Sequence, residues 1–179
     1  MAWSAPMTAV ANSTFTAAQF NTYVRDNLNE TAPAKATGSG SYFVGDGVNT
    51  IVERRAVGAS DLTAGTTTST TFTDLTGSGI GPTVTVETGP YALVIVRASV
   101  ENTGAGSARM AYQISGAHSQ AAADNRGIHI FGVAGVNLGA SDASLLTTLT
   151  PGENTFTAKY RVSSGTGQFS SRRIIVLPF

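Results

Sequence analysis

The stretch Tyr91-Ala-Leu-Val-Ile-Val-Arg-Ala-Ser-Val-Glu101 decides the fold class. Its second half alternates between apolar and polar residues, which is the period of a β-strand with one face toward a core. Its first half is apolar at consecutive positions, as in a strand that is covered on both faces. The stretch therefore predicts a long central strand, whose inner row is Ala92, Val94, Val96, Ala98 and Val100.

Strand patterns of the same kind fill the chain from residue 66 to residue 179. The predicted strands cover residues 66–75, 83–87, 91–101, 108–115, 127–133, 144–149, 155–163 and 167–177. Turn residues separate them, and no segment with a helical period lies between them, which disfavours a parallel βαβ fold. About eight short strands predict an antiparallel β-sandwich of the jelly-roll type. The Cys-Trp-Cys pattern of an immunoglobulin-type sandwich is missing.

One short helix is predicted near the N-terminus, over residues 17–29. Thr16 and Gln19 have the spacing of a capping box, in which each side chain bonds to the backbone of the other residue. Phe15 and Phe20 occupy the positions of a hydrophobic staple. Pro33 is expected to end the helical run, because proline disfavours helix at the preceding residue. One face of the helix is apolar and carries Phe20, Tyr23, Val24 and Leu28.

A helix of about 13 residues is marginal in water by itself, so its apolar face is expected to dock on something. The chain's own β-domain is one possible partner, and another copy or another protein is the second. The second is favoured because a Gly- and Ser-rich segment, residues 33–41, separates the helix from the strands. Residues 42–44 and 50–54 then predict a small β-hairpin.

The chain is therefore expected to have three parts. Residues 1–32 form an N-terminal segment with one helix, and residues 33–65 form a linker with the small hairpin unit. Residues 66–179 form the β-sandwich. The predicted fold class is mainly β, with the short helix and the hairpin preceding an antiparallel jelly-roll-like sandwich.

The composition argues against several classes of function. Lys plus Arg is 11 and Asp plus Glu is 11, whereas a protein that neutralises nucleic-acid phosphates needs a basic surplus. The absence of Cys excludes disulfides, zinc–thiolate sites and thiol nucleophiles. No apolar run approaches the roughly 20 residues of a membrane span, and the N-terminus does not have the pattern of a signal peptide. We therefore expect a soluble protein made in a cytoplasm, without nucleic-acid or membrane partners.

Side chains that carry catalytic or metal chemistry are few. His118 and His129 fall in different predicted elements, with Asp124 between them and Asp142 nearby in the sequence. The more economical interpretation places His118 in a loop and His129 on the polar face of a strand. There is no Gly-x-Ser-x-Gly elbow and no Gly-rich loop followed by a Walker lysine. We expect no catalytic residue, no metal and no cofactor, and hence a non-enzymatic protein.

Two strands carry more apolar residues than a single buried face requires. The C-terminal run Ile174-Ile-Val-Leu-Pro-Phe179 is apolar on both faces, and the first long strand carries Leu93 and Ile95 opposite its inner row. A long loop is one possible cover for these faces, and a subunit interface in a homotrimer is favoured. The predicted interface residues are Leu93, Ile95, Arg172, Arg173, Ile174 and Val176.

The pair Arg172–Arg173 allows two interpretations, because neighbours on a strand point to opposite faces. One arginine could form an ion pair between subunits with an acid such as Glu101 or Glu153. An exposed strand end is the alternative.

Three segments resemble virion proteins of phages that infect actinobacteria. In that group an N-terminal pattern is roughly T-x-x-Q-x-N-T-x-x-R-D-N-L, and Thr16-Ala-Ala-Gln-Phe-Asn-Thr-Tyr-Val-Arg-Asp-Asn-Leu28 matches it. Residues 40–54 are similar to short hairpin units of phage fibre and tail proteins. Residues 149–178 are similar to C-terminal β-domains of the same group. The resemblance covers nearly the whole chain.

The resemblance implies a phage virion structural protein, located in the virion and assembled in the host cytoplasm. It implies that the N-terminal segment attaches the chain to capsid or tail proteins and that the sandwich faces outward. The short chain favours a surface decoration or short head-fibre protein. A minor tail or tail-tip protein that binds a receptor or a carbohydrate is the alternative. The implied anchor residues are Trp3, Phe15, Phe20, Tyr23, Val24 and Leu28.

Host-surface glycans are a further candidate partner, because jelly-roll domains often bind sugars. Within the sandwich the aromatic candidates for stacking on a sugar are Tyr91, Tyr112 and Tyr160. Two of these three tyrosines fall on predicted core rows. An enzyme and a host-encoded structural β-domain are the remaining, less favoured classes.

Overall fold

The computed structural model describes residues 3–77, 81–131 and 135–179. The chain forms two compact units, of which the first ends at Arg55 and the second spans residues 56–179. The helix and the hairpin belong to the same unit. The predicted middle part, residues 33–65, is therefore divided between the two units rather than forming a part of its own.

The N-terminal unit contains the predicted helix, in three successive stretches. These are α1 (Ala17–Phe20), a π-helical turn (Asn21–Arg25) and α2 (Asp26–Asn29), followed by the separate short helix α3 (Ala32–Lys35). The capping box is confirmed, because the Gln19 backbone N–H donates to Thr16 Oγ1 and the Thr16 N–H donates to Gln19 Oε1. Pro33 does not end the helical run. It lies in the first turn of α3, where its missing N–H breaks no helical hydrogen bond.

Strands β1 (Ser41–Gly45) and β2 (Ile51–Arg55) form the predicted hairpin of this unit. The chain before the helix is held to the rest of the unit by hydrogen bonds of its backbone to the Asn49 carbonyl and to the Asn27 side chain. The Trp3 N–H donates to the Asn49 carbonyl at 2.9 Å, and the buried Asn27 side chain bonds to both the N–H and the carbonyl of Ser4. Lys35 reaches the Ile51 carbonyl at 3.0 Å, which links the helical part to the hairpin.

The second unit is a sandwich of two antiparallel sheets. One sheet has the order β5-β10-β7-β8; the other has the order β3-β11-β6-β9, with β4 also pairing with β11. The strands are β3 (Val57–Asp61), β4 (Gly65–Thr67), β5 (Thr83–Thr88), β6 (Ala92–Asn102), β7 (Ser107–Gly116), β8 (Gly127–Phe131), β9 (Leu138–Leu146), β10 (Gly152–Val162) and β11 (Gly167–Pro178).

This topology confirms the predicted fold class: a mainly β chain with a jelly-roll-like sandwich preceded by a helix and a hairpin. The predicted inner row of residues 91–101 is also confirmed, because its five side chains on β6 are at most 1% exposed. The core between the sheets is completed by apolar residues of β7, β10 and β11, among them Met110, Phe156, Tyr160 and Phe169.

Several strand bounds differ from the prediction. Strand β3 falls within residues 33–65, for which only a linker and the small hairpin were predicted, and residues 66–75 form only the end of β4 and isolated bridges. Strand β9 begins at Leu138, six residues before the predicted start. Strand β8 ends at Phe131, and the rest of the predicted strand 127–133 lies outside the described residues.

A β-bulge reverses the faces of the last strand. The pairing of β11 with β6 shifts register between Ser170 and Arg173, and Ser171 has a positive φ of 49°. Strict alternation from the buried Phe169 would put residues 172, 174 and 176 on the outer face. The extra residue instead turns these three positions toward the core.

Candidate functional site

The anchor surface of the N-terminal unit consists of Trp3, Val10, Phe15, Phe20 and Leu28. Their exposed fractions are 40%, 67%, 51%, 48% and 59%. Four of these are predicted anchor residues; Val10 was not predicted, because it lies outside the helical period and the Phe15–Phe20 staple. Phe15 is in ring contact with Phe20 and lines a groove with Val10, whereas Trp3 lines a separate groove with Asn49. Exposed apolar side chains of this kind are a recognised property of interaction surfaces.

The predicted anchor residues Tyr23 and Val24 differ from the other four. Both side chains are partly buried within the unit, whereas the other four are exposed. The side of the helix that packs inside the unit is marked by Asn27, which is 4% exposed. The expected single apolar face is therefore divided, and Phe20 and Leu28 remain at the surface.

Local structure fixes the shape of the anchor surface. The Phe15 and Phe20 rings form the expected staple, with centroids 6.2 Å apart and planes at 71°. Phe15 also lines a groove of about 470 Å³ together with Met7, Val10 and Gln19. Because capping and the bonds of Asn27 hold these elements in place, the aromatic side chains form a defined surface rather than a loose tail.

The outer face of the five-stranded sheet is the second apolar surface. Leu93 lies directly between Leu177 on β11 and Leu145 on β9, and Ile95 lies between Ile175 and Ala143. Leu145 is 63% exposed, and Leu93, Ile95, Ile175 and Leu177 are partly exposed. These six residues form two adjacent apolar rows, which we call the outer apolar face.

Charged residues border the outer apolar face. Arg97 and Arg173 are register partners in the next row, and both are exposed. Within the described ranges neither arginine forms an ion pair. Of the predicted interface residues, Leu93, Ile95 and Arg173 therefore lie on one surface.

The other three predicted interface residues are corrected by the structure. Arg172, Ile174 and Val176 are each 0% exposed inside their own chain, because the bulge at Ser171 turns them inward. Ile174 and Val176 belong to the core between the sheets. Arg172 is neither an exposed strand end nor free to bind Glu101 or Glu153 of another subunit.

Arg172 instead forms a polar cluster inside the sandwich. Its Nη2 donates to Asp61 Oδ2 at 2.5 Å and to the Thr63 carbonyl at 2.9 Å. Its guanidinium also lies 5.5 Å from the centroid of the Tyr160 ring. Burial raises the pKa of Tyr160 to about 12, although the nearby Arg172 favours the ionised phenol. The signal in the sequence that points to this cluster is the arginine pair directly before the apolar run 174–179.

The outer face of the four-stranded sheet carries exposed ion pairs. The Asp124 carboxylate contacts both Arg109 and Arg161, and Lys159 Nζ lies 2.7 Å from Asp74 Oδ1. The hydrogen bond from Arg161 is the main reason why the pKa of Asp124 is lowered. These contacts tie the loops before β5 and before β8 to the sheet.

The two histidines lie apart, as predicted. His118 follows β7 in a loop, where its Nδ1 is 3.3 Å from the Thr150 nitrogen, and His129 lies on β8. Burial, followed by the charge of Arg109, lowers the pKa of His129. Over residues 3–77, 81–131 and 135–179, no three His, Asp or Glu side chains are grouped as a metal site would require. The helices of this same part are too short and polar to span a membrane.

Comparison with known proteins finds solved structures with a similar fold, but no sequence match. No protein-family model matches the sequence, and no curated protein matches it. Eiger TNF from S. frugiperda is similar with 12% identity over 69% of this chain and 91% of that chain, with a TM-score of 0.46. The VP2 subviral particle of infectious bursal disease virus is similar with 10% identity over 75% of this chain and 36% of that chain, with a TM-score of 0.49.

A third similar structure is the C-terminal CBM6 of LamC, a laminarinase from Zobellia galactanivorans. It is 9% identical over 69% of this chain and 99% of that chain, with a TM-score of 0.31. At such low identities the likeness concerns the sandwich architecture, and function has to be argued from the surfaces.

Proposed function

We propose that this chain is a non-enzymatic structural protein of a phage particle, present there as a trimer. In this proposal the N-terminal unit docks on a capsid or tail subunit, and the β-sandwich projects outward as a decoration or short fibre. The observation that carries the proposal is the anchor surface, where Phe15 and Phe20 are about half exposed on a capped and internally bonded scaffold.

Burial of these rings against a partner would supply the attachment energy. Removal of apolar surface from water stabilises a contact by roughly 25 cal/mol per Å², and aromatic anchors contribute most to protein interfaces. Because the capping box and the Asn27 bonds already order the segment, little conformational entropy would be lost on docking.

Self-association would raise the strength of attachment. Three linked anchors bind with an avidity well above that of one anchor, provided that all three reach their sites together. The outer apolar face supports this part of the proposal, since two rows of Leu, Ile and Ala side chains lie on a sheet face without a covering strand or helix in the described residues of unit 2. Such a face is stabilised when another copy covers it.

The same surfaces would also serve a minor tail or tail-tip protein. The neutral charge of the chain and its anchor surface suit either position on a particle. The decoration or short-fibre role is preferred because the chain has a single β-sandwich and no extended shaft among its described elements.

A particle-binding experiment with paired variants tests the proposal. Particles produced without this chain are incubated with the purified protein, and co-sedimentation is measured for wild type, Phe15→Asp and Phe20→Asp. The control variant is Leu62→Asp, which places a carboxylate at a 76% exposed apolar residue of the sandwich.

We expect wild type and Leu62→Asp to sediment with the particles. Phe15→Asp and Phe20→Asp should remain in the supernatant. The melting temperature of the sandwich in both variants should equal that of wild type. Particle occupancy by these two variants equal to that of wild type would refute the anchor assignment.

A further inference from the structure

A polar cleft of about 450 Å³ lies on the sandwich, between the loop that follows β7 and the C-terminal half of β9. Its volume is within the roughly 300–1,000 Å³ of small-molecule sites. The polar residues that line it come from both sides of the cleft and are Gln120, Asn125, Arg126, Asp142, Ser144, Thr147 and Thr148.

Two polar side chains occupy core-facing positions in this cleft. Asp142 pairs with Val96 and Ser144 pairs with Val94, and both valines point into the core. Directly opposite residues of paired strands share a face, so Asp142 and Ser144 also point between the sheets. Polar groups at such positions cost free energy unless they find partners.

The short length of β8 explains why these positions are open. Pairing between β7 and β8 ends at Ala111 and Gly127, and beyond that point the described structure pairs this edge of β7 only through the isolated bridge between Ile114 and Gln120. The loop 117–126 fills part of the space and brings Gln120 and Arg126 to the cleft. The cleft is thus the opening between two sheets at a strand that stops early.

Arg126 and Asp142 face the same cleft without forming an ion pair with each other in the described part of the chain. Arg126 Nη2 donates to the Ala121 carbonyl at 2.5 Å, while its buried Nε has no hydrogen-bond partner among the described residues. Asp142 Oδ2 accepts a bond from the Ser144 hydroxyl at 3.1 Å. Both charged groups keep hydrogen-bonding capacity for a third group.

Tyr112 lies behind these side chains. It is wholly buried, and the Arg126 guanidinium lies 5.9 Å from the centroid of its ring. Burial raises the pKa of Tyr112, and Ser144, Arg126 and Asp142 are the polar groups that act on the phenol. The cation of Arg126, the carboxylate of Asp142 and the hydroxyl of Ser144 therefore line the same cleft.

We infer that this cleft binds a saccharide. A sugar hydroxyl can donate to Asp142 and accept from Arg126, and the amides of Gln120 and Asn125 can do both. A simple anion would be repelled by Asp142, a simple cation would be repelled by Arg126, and an apolar ligand would leave both charges without partners. This inference does not depend on the proposed attachment to a particle.

The binding of one sugar should be weak. None of the described residues that line the cleft is aromatic, so they offer no stacking contact of the kind that strengthens many sugar sites. We expect a dissociation constant in the millimolar range, which corresponds to about −4 kcal/mol. Useful retention on a polysaccharide would then require several copies acting together.

Saturation-transfer NMR on the full chain tests this inference. The probes are galactose, glucose, mannose, rhamnose, arabinose and N-acetylglucosamine, each at millimolar concentration, and the dipeptide Gly-Gly serves as a zwitterionic comparison. The variants are Asp142→Asn and Arg126→Gln. Glu87→Gln and Arg97→Gln are the controls, because they change exposed charges of the same sandwich outside the cleft.

We expect at least one sugar to show transfer from the wild-type protein and from both controls. Its affinity should fall at least about tenfold in Asp142→Asn and in Arg126→Gln, as expected for the loss of a hydrogen bond to a charged group. Absence of transfer to all six sugars would overturn the inference, and so would transfer to Gly-Gly alone or an equal signal from all variants. None of these results bears on particle attachment, which is tested with variants of the N-terminal unit.

Discussion

Asp61 on β3 holds the buried guanidinium of Arg172 on β11 at 2.5 Å, and the two strands are register neighbours in the same sheet. Arg172 is fully buried, whereas the Asp61 side chain is 25% exposed. The pair therefore joins the first strand of the sandwich to its last strand, and it provides the charge that lets an arginine lie inside an apolar core.

Substitution of Asp61 by Asn should destabilise the sandwich by about 3 kcal/mol, because removal of one partner leaves a buried charge uncompensated. The control is Asp74→Asn, which breaks the exposed pair with Lys159 and should cost less than about 1 kcal/mol. Urea unfolding followed by circular dichroism measures both values. Equal losses for the two variants would contradict the role given to Asp61.

The bulge at Ser171 gives a second prediction. A β-branched residue tolerates positive φ poorly, so Ser171→Val should lower the free energy of unfolding by about 1–3 kcal/mol. Ser171→Gly should stay within about 0.5 kcal/mol of wild type, because glycine adopts this conformation freely. Ser170→Val, one residue earlier on the strand, serves as the control and should be nearly neutral. A loss at residue 170 as large as that at residue 171 would speak against the bulge.

The raised pKa of Tyr160 predicts loss of stability at alkaline pH. In the unfolded chain tyrosine ionises near its reference pKa of 10.0, whereas in the folded protein the pKa is about 12. The unfolded state therefore loses a proton first. The free energy of unfolding should fall as pH rises from 10 to 12, by about 1.4 kcal/mol per pH unit from this group.

Denaturant titrations at several alkaline pH values measure that slope, and tyrosinate absorbance reports the ionisation directly. Tyr160→Phe should show a smaller slope than wild type, with part of the slope retained because burial also raises the pKa of Tyr112. The same slope in wild type and in Tyr160→Phe would show that Tyr160 is not the responsible group.

The outer apolar face predicts the oligomeric state. Ile95→Glu and Leu177→Glu should convert the expected trimer to monomers, because each places a carboxylate in an apolar row that another copy would cover. Leu62→Glu changes a residue that is 76% exposed away from this face and should leave the trimer intact. Light scattering after size exclusion gives the mass of each species. A wild-type monomer, or trimers formed by all variants, would contradict the assignment.

The sequence predicted best where a pattern was local or had a strict period. The inner row of β6 follows from alternation along a strand that has core on one side, and the Thr16–Gln19 capping box depends on residues three apart. The same reasoning predicted that Leu93 and Ile95 face outward, and both are partly exposed. These features require no knowledge of which strands are neighbours.

The wrong predictions concern features that depend on long-range strand pairing or on a single inserted residue. Ser171 looks like an ordinary strand residue, yet its positive φ turns Arg172, Ile174 and Val176 inward. Strand β3 has a weak pattern of its own and is defined by pairing with β11, more than a hundred residues later in the chain. The polar cleft could not be predicted for a similar reason, because residues 120–126 and 142–148 meet only when the sheets are assembled.

Immunogold electron microscopy of intact particles tests the central claim most directly. Antibodies raised against the full chain are applied to washed particles of the phage in which the proposal places it, with particles that lack the chain as the control. We predict dense label on the outside of the particle, distributed over the heads if the protein is a decoration or short fibre. Label confined to the tail would reassign the protein to the tail. Washed particles that carry no label, although the chain is made in the infected cell, would contradict its role as a virion protein.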